Sequence, residues 1–182
     1  MAQDASNLPA DGPMKRTLLI GCGNRRERLL RPDQQEQWRG QLITLDMDPA
    51  CNPTVIWDME QRPLPFDGAA FCEIHLYDSL EHWGRQGDWR GFFAEFAEYH
   101  RLLSARGFLC IIVPVGEDRF ADPGHCRFFT LNHFLMLSQD WYAQQIALGE
   151  RVTDYRWYWK LDFRVQFSRQ DDNHLYVVLE RA

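Results

Sequence analysis

The sequence is poor in the features that mark membrane, secreted and metal-binding proteins. No apolar run approaches the about 20 residues that a bilayer-spanning helix needs. There is no HExxH zinc motif, EF-hand loop or GxSxG nucleophile elbow, so neither a bound metal nor a serine-hydrolase site is expected. The five cysteines form no CxxC pair, which is typical of reduced thiols in the cytoplasm. We therefore expect a cytoplasmic protein without a membrane segment.

Positive charge is also scarce. The chain has 20 Lys and Arg against 26 Asp and Glu, a net charge of -6. Such a surface repels phosphate backbones on average, which makes nucleic acid an unlikely partner. One basic cluster stands out: Arg25, Arg26, Arg28 and Arg31. It could be a local basic patch, or the solvated face of a helix.

Length and composition fit one globular domain. The 182 residues are 45% hydrophobic and 25% charged, which is ordinary for a folded α/β protein. Residues 1–14 are polar and lack the apolar core of a signal peptide, so we expect a flexible leader. Residues 15–182 are predicted to form a single domain.

Short apolar segments alternate with helical patterns along most of the chain. Strands are predicted at residues 17–20, 41–45, 54–57, 71–77 and 108–113, and helices at 25–31, 89–104 and 130–137. The last third instead predicts a half-exposed strand at 155–167, a turn at 168–173 and a closing strand at 175–179. This order predicts a Rossmann-like, mostly parallel sheet with helices on both faces and a C-terminal antiparallel β-hairpin.

Glycines and acidic residues follow four of the predicted strands. Gly21–Gly23 come after the first strand, Asp46 and Asp58 after the second and third, and Tyr77 with Asp78 after the fourth. Open parallel sheets bind ligands at the carboxyl ends of their strands. We therefore expect these residues to meet at one edge and form a binding site.

Six segments, in order, resemble the motifs of class I S-adenosylmethionine-dependent methyltransferases. They are LLIGCGN at 18–24, LDMDP at 45–49, DME with LPF at 58–66, LEH at 80–82, RLLSARG at 101–107 and DPGHCRFFT at 122–130. The last is similar to a segment of a compact branch of that superfamily. The sequence departs from the pattern at Arg25, which stands where a third glycine is usual, and in connections at 48–54 and 66–71 that are too short for helices. Trimmed helices are expected there.

The resemblance implies S-adenosyl-L-methionine as cofactor. Gly21 and Gly23 would let the backbone approach it, and a helix capped by Asn24 would offer N–H groups to its carboxylate. Asp46, or alternatively Asp48, would accept the ribose hydroxyls. The full set of expected cofactor-binding residues is Gly21, Cys22, Gly23, Asn24, Asp46, Met47, Asp58, Met59 and Tyr77.

Several of these residues, and the candidate catalytic residues, each allow two interpretations. Asp58 would accept the adenine amino group with Met59 over the ring, while Tyr77 could equally be a core residue. Asp78, His82 and His125 are the candidate general bases, needed only for a hydroxyl or protonated amine acceptor. His82 could instead cap or pack. His125 and Arg127 could bind an anionic acceptor or tether a loop.

The acceptor is expected to be a small molecule or a glycan-like compound. It would bind between the loop after the fourth strand, the His125 loop and the C-terminal aromatic residues, although those aromatics could simply pack the sheet edge. Two rival functions are open. A nicotinamide-dependent oxidoreductase would need a glycine at position 26, which is arginine. A catalytically inactive binding or structural module would keep the fold without the reaction.

Overall fold

A computed structural model describes residues 15–182, and the expected leader lies outside the described residues. Seven strands form one sheet in the order β3-β2-β1-β4-β5-β7-β6. Strands β1 to β5 pair in parallel, and β7 runs antiparallel to both β5 and β6. The predicted α/β fold with a C-terminal antiparallel hairpin is confirmed. The strands are β1 Arg16–Ile20, β2 Gln41–Asp46, β3 Val55–Ile56, β4 Phe71–Tyr77, β5 Leu103–Pro114, β6 Phe163–Gln170 and β7 His174–Arg181.

Three α-helices are present in the described part of the chain. They are α1 Trp89–Leu102, α2 Leu131–Leu135 and α3 Gln139–Ala147, with 3₁₀ turns at Pro49–Cys51, Leu80–His82 and Asp118–Phe120. The connections from β2 to β3 and from β3 to β4 contain no α-helix, as their short length predicts. None of these helices is long and apolar enough to cross a membrane.

The larger core lies between the sheet and α1. The helix begins after Asp88, whose carboxylate accepts a hydrogen bond from the Gly91 N–H at 3.0 Å. Its buried stripe of Phe93, Phe96 and Tyr99 has helical spacing and packs against one face of the central strands. Helix α1 leads directly into the parallel strand β5, so its last residue lies at the amino edge of the sheet and its first residue at the carboxyl edge.

The opposite face of the sheet is covered by a segment without regular secondary structure. The prediction of a helix at residues 25–31 is wrong. Residues 25–30 have no regular secondary structure, although Leu30 and Trp38 pack on this face. Two arginine side chains bond to main-chain carbonyls and hold the segment in its irregular course. Arg26 donates to Gly23 O and Cys51 O, and Arg28 donates to Gln35 O. The expectation of helices on both faces is therefore met on the α1 face alone among the described residues.

The basic cluster is likewise neither a patch nor a solvated helix face. Arg28 is only 3% exposed, and its guanidinium pairs with Glu73 of β4 at 2.6 Å. Arg26 reaches across to the loop after β2. Arg26 and Arg28, two of the four arginines, therefore attach this segment to the rest of the protein.

Element boundaries in the C-terminal part differ from the sequence prediction. Helix α3 was not anticipated, β6 begins at Phe163 rather than 155, and it runs on to Gln170, leaving a tighter turn at 171–173. Residues 155–162 form no strand, and Trp159 packs inward there. Trp159 is 2% exposed and its indole N–H donates to Leu137 O at 2.9 Å. Helix α2 ends at Leu135, two residues early, and β5 begins directly after α1.

Candidate functional site

The sheet order reverses between β1 and β4, which is where open α/β sheets form their ligand crevice. The loop at residues 21–24 leaves β1 at this point. Gly21 N and Cys22 N both donate to Leu45 O, at 2.9 and 3.3 Å, so the loop is bound to the end of β2. Three strand ends thus meet at one rim, as the sequence pattern predicts.

Both glycines of this loop have positive φ, and at Gly21 close packing also excludes a side chain. Gly21 has φ +60°, and a Cβ there would lie 2.5 Å from the Ser79 Cβ, so a side chain would clash. Gly23 has φ +46°, and a Cβ there would meet no atom of the described residues within 4 Å. The first glycine therefore allows close packing of β1 against the loop after β4. The second leaves open space above bare backbone.

Asp46 lies against the glycine loop. Its Oδ2 accepts from Gly23 N at 2.7 Å and its Oδ1 from Asp48 N at 3.0 Å. Asp48, the alternative ribose ligand, is exposed and caps the following turn through Ala50 N. Each oxygen of Asp46 keeps a second lone pair for a ligand.

Asp58 reaches the same rim through the adjacent strand. Trp57 N donates to Asp46 O at 2.9 Å, which places the end of β3 beside the end of β2. The Asp58 carboxylate is half-buried and accepts from Glu60 N at 2.9 Å. The four strand ends that the sequence pattern groups together are therefore brought together.

A cavity of about 350 Å³ opens over the loop. It is lined by residues 21–25 with Leu19, Tyr77 and Asp78. Asp78 has φ +50°, and its carboxylate faces the Arg25 guanidinium, with Nη1 at 3.5 Å, and the His174 imidazole, with Nε2 at 3.1 Å. Of the three candidate bases, Asp78 alone lines this cavity. Arg25, at the position of the missing third glycine, forms part of its wall.

The remaining expected cofactor residues divide between core and surface. Tyr77 is 3% exposed, and burial raises its pKa. Its hydroxyl accepts from Leu30 N and lies 2.5 Å from His75 Nδ1, so most of this side chain belongs to the core. Met59 is also a core residue, at 8% exposed, whereas Met47 is 69% exposed. Met59 therefore does not present a free face to a ring, in contrast to the expectation.

Asn24 and Cys22 also differ from simple expectation. Asn24 is exposed, and because no helix follows it, it caps none. The corresponding set of free helix N–H groups is missing. Cys22 is buried and burial raises the pKa of its thiol, so this residue contributes backbone to the loop and not a reactive sulfur.

His82 and His125 lie side by side, away from the lining of this cavity. Their ring centroids are 4.8 Å apart. Arg127, in contrast, is 5% exposed and forms a 2.6 Å ion pair with Glu95 of α1 while donating to Leu80 O. Arg127 therefore tethers the loop, the second of the two readings that its sequence position allowed.

A second cavity, of about 260 Å³, lies at the first turn of α1. Aromatic rings dominate its lining: Trp89, Phe92, Phe93, Phe128, Phe129 and Tyr155. Next to it, Trp157 is 65% and Tyr158 40% exposed, and both rings contact Trp89. The sequence pattern assigned the α1 aromatics to a core stripe alone. The density of aromatics at both 89–93 and 128–129 was the available indication of a cavity.

Comparisons with known proteins give the fold. No sequence profile of a known protein family and no curated protein matches the chain. A SAM-dependent methyltransferase from Archaeoglobus fulgidus is similar in structure, with a TM-score of 0.56 and 12% identity over 93% of this chain and 87% of the other. One from Methanosarcina mazei gives a TM-score of 0.52 and 13% identity, covering 93% of both chains.

A third similar structure carries ligands. The geranyl diphosphate C-methyltransferase from Streptomyces coelicolor A3(2), in complex with Mg²⁺, geranyl diphosphate and S-adenosyl-L-homocysteine, gives a TM-score of 0.51 and 12% identity. The match covers 98% of this chain and 78% of that one. The chain therefore has the fold found in these S-adenosylmethionine-dependent methyltransferases.

Proposed function

We propose that the protein is an S-adenosyl-L-methionine-dependent methyltransferase acting on a small-molecule or glycan-like acceptor. The observation that carries this proposal is the convergence of three strand ends on one loop. Gly21 N bonds to Leu45 O, Gly23 N bonds to the Asp46 carboxylate, and a cavity of about 350 Å³ opens beside them. Its volume lies in the range of small-molecule sites.

The donors and acceptors at this rim match the cofactor's chemistry. The free lone pairs of Asp46 suit a vicinal diol, and the half-buried carboxylate of Asp58 suits an exocyclic amine. Met47, the exposed neighbour of Asp46, is a better candidate than Met59 for covering a nucleobase. Arg25 lines the cavity where a helix N-terminus is missing, and its guanidinium suits the cofactor's carboxylate.

The cofactor supplies a methyl group already activated by a sulfonium, so the protein's task is to position an acceptor in line and exclude water. Asp78 lines the cavity and is the proposed base for an acceptor that must lose a proton. The aromatic cavity at α1 would hold an apolar or ring-shaped acceptor. Arg26 and Arg28 are engaged within the protein, which argues against a nucleic-acid acceptor.

One observation favours the alternative of an inactive module. Arg25 and Asp78 approach to 3.5 Å at the cavity, and among residues 15–182 no α-helix begins at the glycine loop. Such a pair could close the site without catalysis. The alternative is therefore kept as an outcome of the binding experiment.

The test is thermal unfolding with S-adenosyl-L-homocysteine, the demethylated cofactor. At a concentration 100 times the Kd, a ligand stabilises the folded state by about 2.7 kcal/mol, which raises the Tm of a chain this size by about 5 °C or more. Asp46→Asn should weaken binding at least 10-fold because the charged acceptor of the diol is lost.

Asp48→Asn is the matched control, because Asp48 is exposed and caps a turn. We expect it to bind S-adenosyl-L-homocysteine within about 3-fold of the wild-type chain, as expected for a surface change. No shift of the wild-type Tm at millimolar ligand would support the inactive module. Equal weakening in both variants would remove the assignment of Asp46.

A further inference from the structure

A buried carboxylate without a hydrogen-bond partner lies three residues after Asp78. Glu81 is 1% exposed, and neither of its carboxylate oxygens has a hydrogen bond within the described part of the chain. A carboxyl group buried in this way is costly unless something compensates it. The consequence is visible in its pKa, which burial raises to about 8.

Two imidazoles face this carboxylate. His125 Nε2 lies 3.8 Å from Glu81 Oε1, too far for a hydrogen bond, and His82 completes the group. One donor atom from each of the three residues lies within 4.8 Å of the other two. Two nitrogens and one carboxylate oxygen are the donor set of catalytic zinc sites and of other borderline divalent metals.

The surroundings of His125 fix the orientation that a metal ligand needs. Its Nδ1 donates to Arg119 O at 3.1 Å, since a carbonyl oxygen only accepts, and its Nε2 lies on the side of Glu81, 3.8 Å from Oε1. Metal-binding histidines commonly have such a carbonyl behind them. Burial and the neighbouring His125 lower the pKa of His82.

We propose that Glu81, His82 and His125 form a binding site for a divalent transition metal. Zn²⁺ is the metal used to test it, because two imidazoles and one carboxylate suit this ion. Bonds of about 2.1 Å place tetrahedral ligand atoms ~3.4 Å apart, so donor atoms that now lie up to 4.8 Å apart must approach one another by up to about 1.4 Å. His125 lies in the loop after β5, whose neighbouring residues 121–124 are exposed and leave room for this movement. Three protein ligands leave a fourth position for water or an oxygen donor. The proposal departs from the expectation, drawn from motifs alone, that no metal is bound.

The experiment is a zinc titration of chelator-treated full-length protein, in competition with a colorimetric zinc chelator. The wild-type chain should bind one equivalent of ZnCl₂ and unfold at a higher temperature with zinc than without it. His125→Ala should weaken zinc binding at least 100-fold, and Glu81→Gln at least 10-fold. His82→Ala is a second ligand variant in case either of these fails to fold.

Two control variants test whether zinc binds elsewhere. His174→Ala removes the imidazole beside Asp78, and Cys126→Ser removes the thiol that bonds to the Glu81 carbonyl. Both should bind zinc as the wild type does, and the X-ray absorption spectrum should show nitrogen and oxygen neighbours without sulfur. No zinc binding at micromolar concentration, equal affinity in the ligand variants, or a sulfur neighbour would overturn the site. None of these readouts depends on methyl transfer.

Discussion

The two faces of the sheet are built by different physics. One face packs against α1 through buried apolar side chains such as Phe93, Phe96 and Tyr99. The other is covered by irregular chain held by a buried polar network. On that face Arg28 pairs with Glu73, and His75 lies 3.0 Å from the second oxygen of Glu73. On the first face, we expect the stability lost on substitution to depend on the side-chain volume removed. On the second, we expect it to depend on the charged or polar partner removed.

Geometry explains how the network can exist inside a strand. Glu73, His75 and Tyr77 are alternate residues of β4, so their side chains line up on one face of the sheet. Each finds a partner in the next or in residues 28–30. Where the sequence pattern predicted a helix packed on the sheet, this network instead holds an irregular segment to the sheet at several points.

The largest expected effect is the loss of one partner from this network. Arg28→Met should destabilise the protein by about 3–5 kcal/mol, because it leaves the buried carboxylate of Glu73 without its closest cation. Urea denaturation measures this loss. Adding Glu73→Leu to Arg28→Met should recover a large part of it, since the uncompensated charge is then gone.

Arg39→Met is the matched control for that experiment. Its guanidinium lies 3.7 Å from Glu73 and 3.5 Å from Asp33, and the side chain is 25% exposed. A partly exposed pair contributes about 1 kcal/mol or less. Equal losses for Arg28→Met and Arg39→Met, or a double variant no more stable than Arg28→Met, would contradict the network's role.

A somewhat smaller effect is expected from acid on the α1 face. Burial, with the Arg181 cation nearby, lowers the pKa of His100 from its ordinary value of 6.5 to about 4. The unfolded chain therefore binds more protons between these two pH values, so stability is full above pH 6.5 and falls as the pH drops toward 4. The loss attributable to this residue is on the order of 3 kcal/mol.

His100→Gln should remove that part of the acid sensitivity. The measurement is the free energy of unfolding of both proteins at several pH values from 4 to 7. Their difference should shrink or reverse at low pH. Parallel curves over the whole range would show that His100 titrates normally and that the α1 face has no acid-sensitive group at this position.

The smallest effect compares the two faces directly at neighbouring residues of β5. Ile111 packs in the larger core and Ile112 in the smaller one, and they are 0% and 3% exposed. Each Ile→Val change should cost about 0.5–1.5 kcal/mol if both faces are equally well packed. Urea denaturation of the two variants measures this. A negligible loss for Ile112→Val would show that the polar face is loosely packed.

Much of the fold and part of the site follow from local sequence. The apolar runs of β1, β4 and β5 predict buried parallel strands, and the C-terminal alternation predicts the hairpin. The glycine loop and the acids that end β2 and β3 were found for the same reason, because the ends of parallel strands share one edge. Residues 25–31 were misjudged because the pattern of Arg28 does not reveal its partner Glu73, which is 45 positions away.

The sequence by itself determined which segments along the chain become strands and which residues follow them at the rim. Both depend on periodicity and on turns within a few residues. What the tertiary structure alone decided is which polar side chains became buried. Arg28 came to lie under Glu73, and Glu81 came to face His125 without a hydrogen bond. An unpaired charge costs far more free energy when it is buried than when it is exposed to water. The state of each buried group therefore depends on the partners that the fold brings to it from distant positions.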